Sequence, residues 1–233
     1  MTAPVHLSPR LQAVSNYVKP KASLADIGSD HAYLPAFLLS QKVISHAIAG
    51  EVALGPLENA RREIVAAGLQ GSLIARQANG LDAITSADHV DTVVIAGMGG
   101  LLIADIMERD FKTHNQRQFP YLILQPNNNE RAVRKWLIEH HYCLMSETIV
   151  QEDEHYYEII YAVPGHQELD LLDLKYGPYL RRERSEAFQR KWNGEVKRIN
   201  LILGRLAQAE KEDSTPYRQW AAEVRQIQGV LQG

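Results

Sequence analysis

The sequence is poor in cysteine, in long apolar runs and in basic excess, and each shortage removes a class of protein. Cys143 alone permits neither a disulfide framework nor a cysteine-built zinc or iron–sulfur site. The longest apolar stretch, Ala32 to Leu39, falls far short of the ~20 residues that a membrane helix needs, so no membrane partner is expected. Met1 to Leu7 has neither the basic start nor the apolar core of a secretory signal, and a soluble, cytoplasmic protein is expected. His140, His141 and His155 lack a ligand spacing with acids, so no metal is expected. A formal net charge of −3 counts, at first sight, against a nucleic-acid partner.

What is present suffices for one full globular domain and an appendage: 233 residues, of which 45% are hydrophobic, too apolar for disorder. Ser8 before Pro9, then Leu11, Val14 and Val18 at helical spacing, predict an opening amphipathic helix. Short apolar runs follow, each leading into a helical stretch: Ser23 to Ile27, His46 to Glu51, Ser72 to Gln77, Asp91 to Ala96 and Tyr121 to Gln125. Alternation of this kind predicts an α/β, Rossmann-like doubly wound sheet with parallel strands. Two further runs, Tyr142 to Val150 and Tyr156 to Val163, are joined only by Gln151 to Glu154. So short a link allows a hairpin but no crossover, and the sheet is expected to end in an antiparallel pair. Cys143, at the start of that hairpin, is expected in the core.

Beyond Val163-Pro164-Gly165 the composition turns polar. Val196, Ile199, Leu203 and Leu206, then Trp220, Val224, Ile227 and Leu231, keep helical spacing around a break at Asp213 to Pro216. A helical hairpin of coiled-coil type is expected, with domains at 1–164 and 165–233.

Ligands of doubly wound sheets sit beyond the carboxyl ends of the strands, so the residues just after each strand come first. Asp26 and Gly28 form a turn where backbone N–H groups can approach a ligand. Glu51, about 20 residues further on, stands where an acid accepts from ribose hydroxyls. A dinucleotide site keeps carboxylates away from its pyrophosphate, yet Asp30 stands in this turn. A sulfonium cofactor with an ammonium group welcomes Asp26 and Asp30, which favours S-adenosylmethionine over a nicotinamide.

Together with Leu7-Ser8-Pro9-Arg10-Leu11, the runs Ala25-Asp26-Ile27-Gly28-Ser29-Asp30-His31-Ala32-Tyr33-Leu34-Pro35, Ala49-Gly50-Glu51, Ala78-Asn79-Gly80-Leu81, Ile95-Ala96-Gly97-Met98-Gly99-Gly100 and Leu124-Gln125-Pro126-Asn127 resemble the bacterial TrmK family. Its members are class I S-adenosylmethionine-dependent methyltransferases that modify N1 of adenine 22 in tRNA. The resemblance implies a cofactor site from Asp26, Gly28, Asp30, Glu51, Asn79, Gly80, Ala96, Gly97 and Met98. Arg10 either covers the cofactor's carboxylate or faces solvent. Many class I enzymes have a second glycine where this chain has Asp30, and those acting on exocyclic adenine nitrogens have Asp/Asn-Pro-Pro-aromatic where Gly97-Met98-Gly99-Gly100 stands. That departure suits a ring nitrogen as target.

Asp30 is the expected catalytic group. Gln125 and Asn127 are expected at the target adenine, and Tyr33, Met98 or His31 against its face. Arg181, Arg182 and Arg184 belong to a basic stretch from Lys175 to Arg198 that suits tRNA phosphates. A monomer or weak dimer is expected. Two other readings stay open: a small-molecule methyltransferase whose helical hairpin dimerises, and a non-catalytic RNA-binding protein on the same fold.

Overall fold

The computed structural model describes residues 6–209 and 214–233; residues 1–5 and Asp213 of the expected break lie outside the described residues. Two compact units result, Met1–Pro178 and Tyr179–Gly233.

The first unit opens with helix α1 (Pro9–Ser15), started as expected by Ser8, whose side chain accepts from the Leu11 N–H, with proline in the first turn. Five strands follow, β1 (Ser23–Ile27), β2 (His46–Glu51), β3 (Leu73–Gln77), β4 (Thr92–Met98) and β5 (Tyr121–Pro126). Between them lie helices α2 (Tyr33–Ser40), α3 (Leu54–Ala66) and α4 (Gly100–Thr113), and α5 (Glu130–Glu139) follows β5. The seven-stranded sheet is completed by β6 (Tyr142–Glu152) and β7 (His155–Pro164), in the order β3-β2-β1-β4-β5-β7-β6. β1 to β5 pair in parallel, whereas β7 runs antiparallel to both β5 and β6. The expected hairpin is therefore present. It is tighter than its acidic link suggested, because both strands extend into that link and leave a turn at Asp153 and Glu154.

β1, β2 and β5 are buried along nearly their whole length, as strands covered on both faces must be. Their apolar residues were legible for that reason. Strand order reverses between β1 and β4, which opens the crevice where such sheets take ligands. Cys143, expected in the core, is only half-buried on β6.

The expected boundary after residue 164 moves. Helix α6 (Leu171–Tyr176) belongs to the first unit, and buried charge shows why. Arg134 of α5 is fully buried and donates to Glu147 of β6 at 2.7 Å and to Glu158 of β7. Its remaining donors point at the Leu174 and Lys175 carbonyls, 3.4 Å each, in the last turn of α6. The chain then leaves through Gly177 at φ +80°, where a Cβ would stand 2.6 Å from a Glu147 oxygen and 2.7 Å from an Arg134 nitrogen.

The second unit contains the rest of α7 (Pro178–Glu183), then α8 (Glu186–Gln208) and α9 (Thr215–Gln232), with α8 and α9 packed on one another. Ile199, Val224 and Ile227 of the expected stripes are buried. Pro216 does not break the chain; it sits in the first turn of α9, after the Ser214 cap. Among the described residues no helix is long and apolar enough to cross a membrane.

Removing one partner of a buried ion cluster leaves uncompensated charge. Arg134→Ala is expected to lower unfolding free energy by about 3–5 kcal/mol, read from urea titration. Glu139→Ala, which breaks only the exposed Lys135–Glu139 pair, is expected to cost at most about 1 kcal/mol.

Candidate active site

A cavity of about 260 Å³ lies at the carboxyl ends of β1 and β4. α1 contributes Arg10 and Leu11, the turn after β1 contributes Asp26, Gly28, Ser29, Asp30, His31, Tyr33 and Leu34, and β4 contributes Ala96 and Gly97.

The turn after β1 is unusually wound. Gly28, Asp30 and Ala32 have φ of +71°, +52° and +55°, the left-handed region. Aspartate visits that region more readily than most residues, whereas Ala32 has no such side chain and is held there by complete burial. Gly28 has a second reason to lack a side chain: a Cβ would overlap the Met98 methyl. This winding turns the Asp30 N–H onto the Glu51 carboxylate at the end of β2, and Ser29 donates its hydroxyl to Asp26.

Asp26 and Glu51 are 5% and 6% exposed, so both carboxylates are largely out of water. Burial pushes Asp26 up to about 7; the Ser29 hydroxyl opposes that rise, the Glu51 charge adds to it, and Arg10 opposes it. Glu51 is raised too, by burial, against the Asp30 N–H that favours its ionised form. Asp26 lines the cavity and Glu51 lies outside its lining, against the Asp30 N–H; carboxylates so placed favour a ligand that brings donors or positive charge.

Arg10 does not face open solvent. Its guanidinium donates to Gln125 Oε1 at 2.6 Å and lies 5.4 Å from the centre of the Tyr157 ring. Its backbone N–H donates to Glu152 at 2.8 Å, tying α1 to the end of the hairpin. Gln125 is fully buried and occupied: Oε1 also accepts from the Gly97 N–H at 2.9 Å, and Nε2 donates to Asn127 at 3.1 Å. The expectation that Gln125 touches the target base is corrected by this burial, which makes it a brace. Asn127 is exposed and anchored, donating to the Gly97 carbonyl at 2.8 Å. Gly97 takes φ +80°, which lets both its backbone groups meet these side chains.

Other expected residues stand outside the cavity lining. Met98 reaches it only through Gly28. Asn79 and Gly80 follow β3, where the Ala78 N–H donates to the Glu51 carbonyl at 2.8 Å and the Asn79 carbonyl accepts from Arg109. Arg181 and Arg182 lie on α7 and Arg184 just after it, in the second unit. His31 and Tyr33 do line the cavity, with rings stacked at 5.0 Å and 9° and Tyr33 40% exposed. Glu152 and Tyr157, which hold Arg10, had no signal in the sequence, since over 140 residues separate them from it. His140 is accounted for by Glu108 at 2.8 Å and by the Trp136 ring, 4.1 Å away.

Comparison with known proteins points one way. The sequence model of the TrmK family, tRNA (adenine(22)-N(1))-methyltransferase, matches residues 24–229. The chain is 39% identical over 211 residues to the tRNA (adenine(22)-N(1))-methyltransferase of Bacillus subtilis, covering 87% of each. The crystal structure of the B. subtilis m1A22 tRNA methyltransferase TrmK superposes with TM-score 0.84 at 34% identity, over 97% of this chain and 99% of that one. A Streptococcus pneumoniae protein solved in complex with S-adenosyl-L-methionine superposes with TM-score 0.88 at 37% identity, over 97% and 100%.

The raised Asp26 carboxyl gives stability a definite pH dependence. Between about pH 4 and about pH 7 the folded chain keeps a proton on Asp26 that the unfolded chain has released, so stability declines across that window and then levels. Asp26→Asn is expected to make the decline in urea midpoints across the window shallower, with the raised Glu51 carboxyl accounting for what is left; an unchanged slope would assign the whole decline elsewhere.

Proposed function

The chain belongs to the TrmK family of tRNA (adenine(22)-N(1))-methyltransferases, and from that premise we infer that it transfers a methyl group from S-adenosylmethionine to N1 of adenine 22 in tRNA. The observation that carries the reading at the level of the site is the buried acid pair, Asp26 and Glu51, beneath the Gly28 turn. These residues fit the cofactor, because carboxylates out of water favour a ligand with an ammonium group and ribose hydroxyls. S-adenosylmethionine supplies, when bound, a methyl group on a positively charged sulfur.

In this reading Asp26, Gly28, Asp30 and Glu51 hold the cofactor, with Ala96, Gly97 and Met98 along one side and Asn79 and Gly80 beyond Glu51. Arg10, set by Gln125, Glu152 and Tyr157, meets the cofactor's carboxylate. Adenine N1 has an in-plane lone pair, so no base is needed to create the nucleophile, and the protein's work is alignment and exclusion of water. Methylation leaves the base cationic. The exposed Asp30 carboxylate stabilises that charge and takes the proton later lost from N6. Asn127 donates to or accepts from the base, and His31 with Tyr33 offers it a stacking face.

The partner is tRNA, met in the cytoplasm. Arg181, Arg182 and Arg184, on and just after α7, supply phosphate contacts.

Incubation with labelled cofactor and unmodified tRNA, followed by nucleoside analysis, is expected to yield 1-methyladenosine at position 22; label in no RNA would defeat the reading. In the same assay Asp30→Asn is expected to lower turnover at saturating tRNA and cofactor about a hundredfold. Reversing Arg181 and Arg182 to Glu is expected to raise KM for tRNA and flatten its salt dependence while cofactor affinity holds; an equal loss of both would assign these arginines a structural role.

A further inference from the structure

Two leucines stand in water beside the site. Leu101 and Leu102, in the first turn of α4, are 59% and 52% exposed, although the same helix buries Ile103 and Met107. Isolated exposed leucines are ordinary on protein surfaces. This pair is adjacent in sequence, starts four residues beyond the cavity residue Gly97, and is rigidly presented. The Gly100 N–H donates to the Asn128 carbonyl at 2.8 Å, and the Asn127 N–H donates to the Met98 carbonyl at 2.7 Å. A Cβ on Gly100 would stand 2.6 Å from the Asn128 carbonyl oxygen, so the start of α4 is pressed against the loop after β5. Since β4 lies beside β1, this turn is neighbour to the one that carries Asp30 and the His31–Tyr33 stack.

Resting on the tRNA reading above, we propose that Leu101 and Leu102 form an apolar wedge that enters the RNA stack as adenine 22 leaves it. N1 lies on the Watson–Crick edge, and a base stacked inside folded RNA must be extruded before that edge can enter the cavity. Extrusion forfeits stacking on both neighbours. Apolar side chains inserted at the gap recover part of that loss and keep the base from returning. The chemistry of the two side chains fits base faces, since leucine offers apolar surface and no donor to a phosphate. The rigid mounting matters as well, since backbone already fixed in place loses little freedom on insertion.

The test places 2-aminopurine, a fluorescent base that brightens on unstacking, next to adenine 22 in the tRNA, where it loses a stacking partner when adenine 22 leaves. Wild-type protein and the double variant Leu101→Ser, Leu102→Ser are compared at saturating protein with S-adenosylhomocysteine present. Both leucines are exposed, so the variant is expected to fold and to bind S-adenosylmethionine as the wild type does. The wild type is expected to brighten the probe, and the variant to bind the tRNA with most of that brightening lost. On natural tRNA the variant's kcat/KM is expected to fall on the order of tenfold. Wild-type brightening and turnover in the variant overturn the wedge, as does a matching loss of cofactor affinity. Methylation by the wild type without brightening overturns it too. A wild type that makes no 1-methyladenosine at position 22 overturns the functional reading itself, and the two failures are distinguished because every failure of the wedge appears with a wild type that does make it.

Discussion

Asp26 and Glu51 are held out of water at the ends of adjacent strands, and a carboxylate so placed must take a proton or find donors. Much of the site follows from that demand. Glu51 finds the Asp30 N–H, which is available only because Gly28, Asp30 and Ala32 wind the turn left-handed. Asp26 finds Ser29 and still sits at about 7. A cofactor that brings positive charge and hydroxyl donors supplies what these buried carboxylates lack.

A second layer of constraint acts at long range. Arg10 comes from the first helix, Gln125 from the fifth strand, and Glu152 and Tyr157 from the two arms of the final hairpin. The antiparallel ending of the sheet thus has a consequence for the site: it brings to α1 the carboxylate and the ring that hold Arg10. Gln125 links the same network to Gly97 and Asn127, so the cavity wall on β4 and the loop after β5 share one buried amide.

Charge in this TrmK protein is informative by position. A net −3 describes the sum, yet buried acids cluster at the strand ends and arginines gather around α7. Arg134 shows a third use of charge, with no contact to the cavity. By gathering Glu147, Glu158 and the end of α6, it sets where the first unit stops.

The sequence by itself determined the parallel strands, the hairpin ending, the helix start at Ser8, and the candidate residues of the turn after β1. Those signals are local: apolar runs, caps, glycine positions and link lengths act over a few residues and survive without knowledge of what packs beside them. The motifs that resemble TrmK are local in the same sense. The tertiary structure alone decided that Gln125 braces rather than contacts, that Arg10 is held by Glu152 and Tyr157, that Cys143 is half-exposed, and that α6 belongs to the first unit. Each of those outcomes depends on burial and on hydrogen-bond partners far away in the chain. A glutamine at a strand end reads the same whether its amide is free or saturated, and only the packed neighbours distinguish the two.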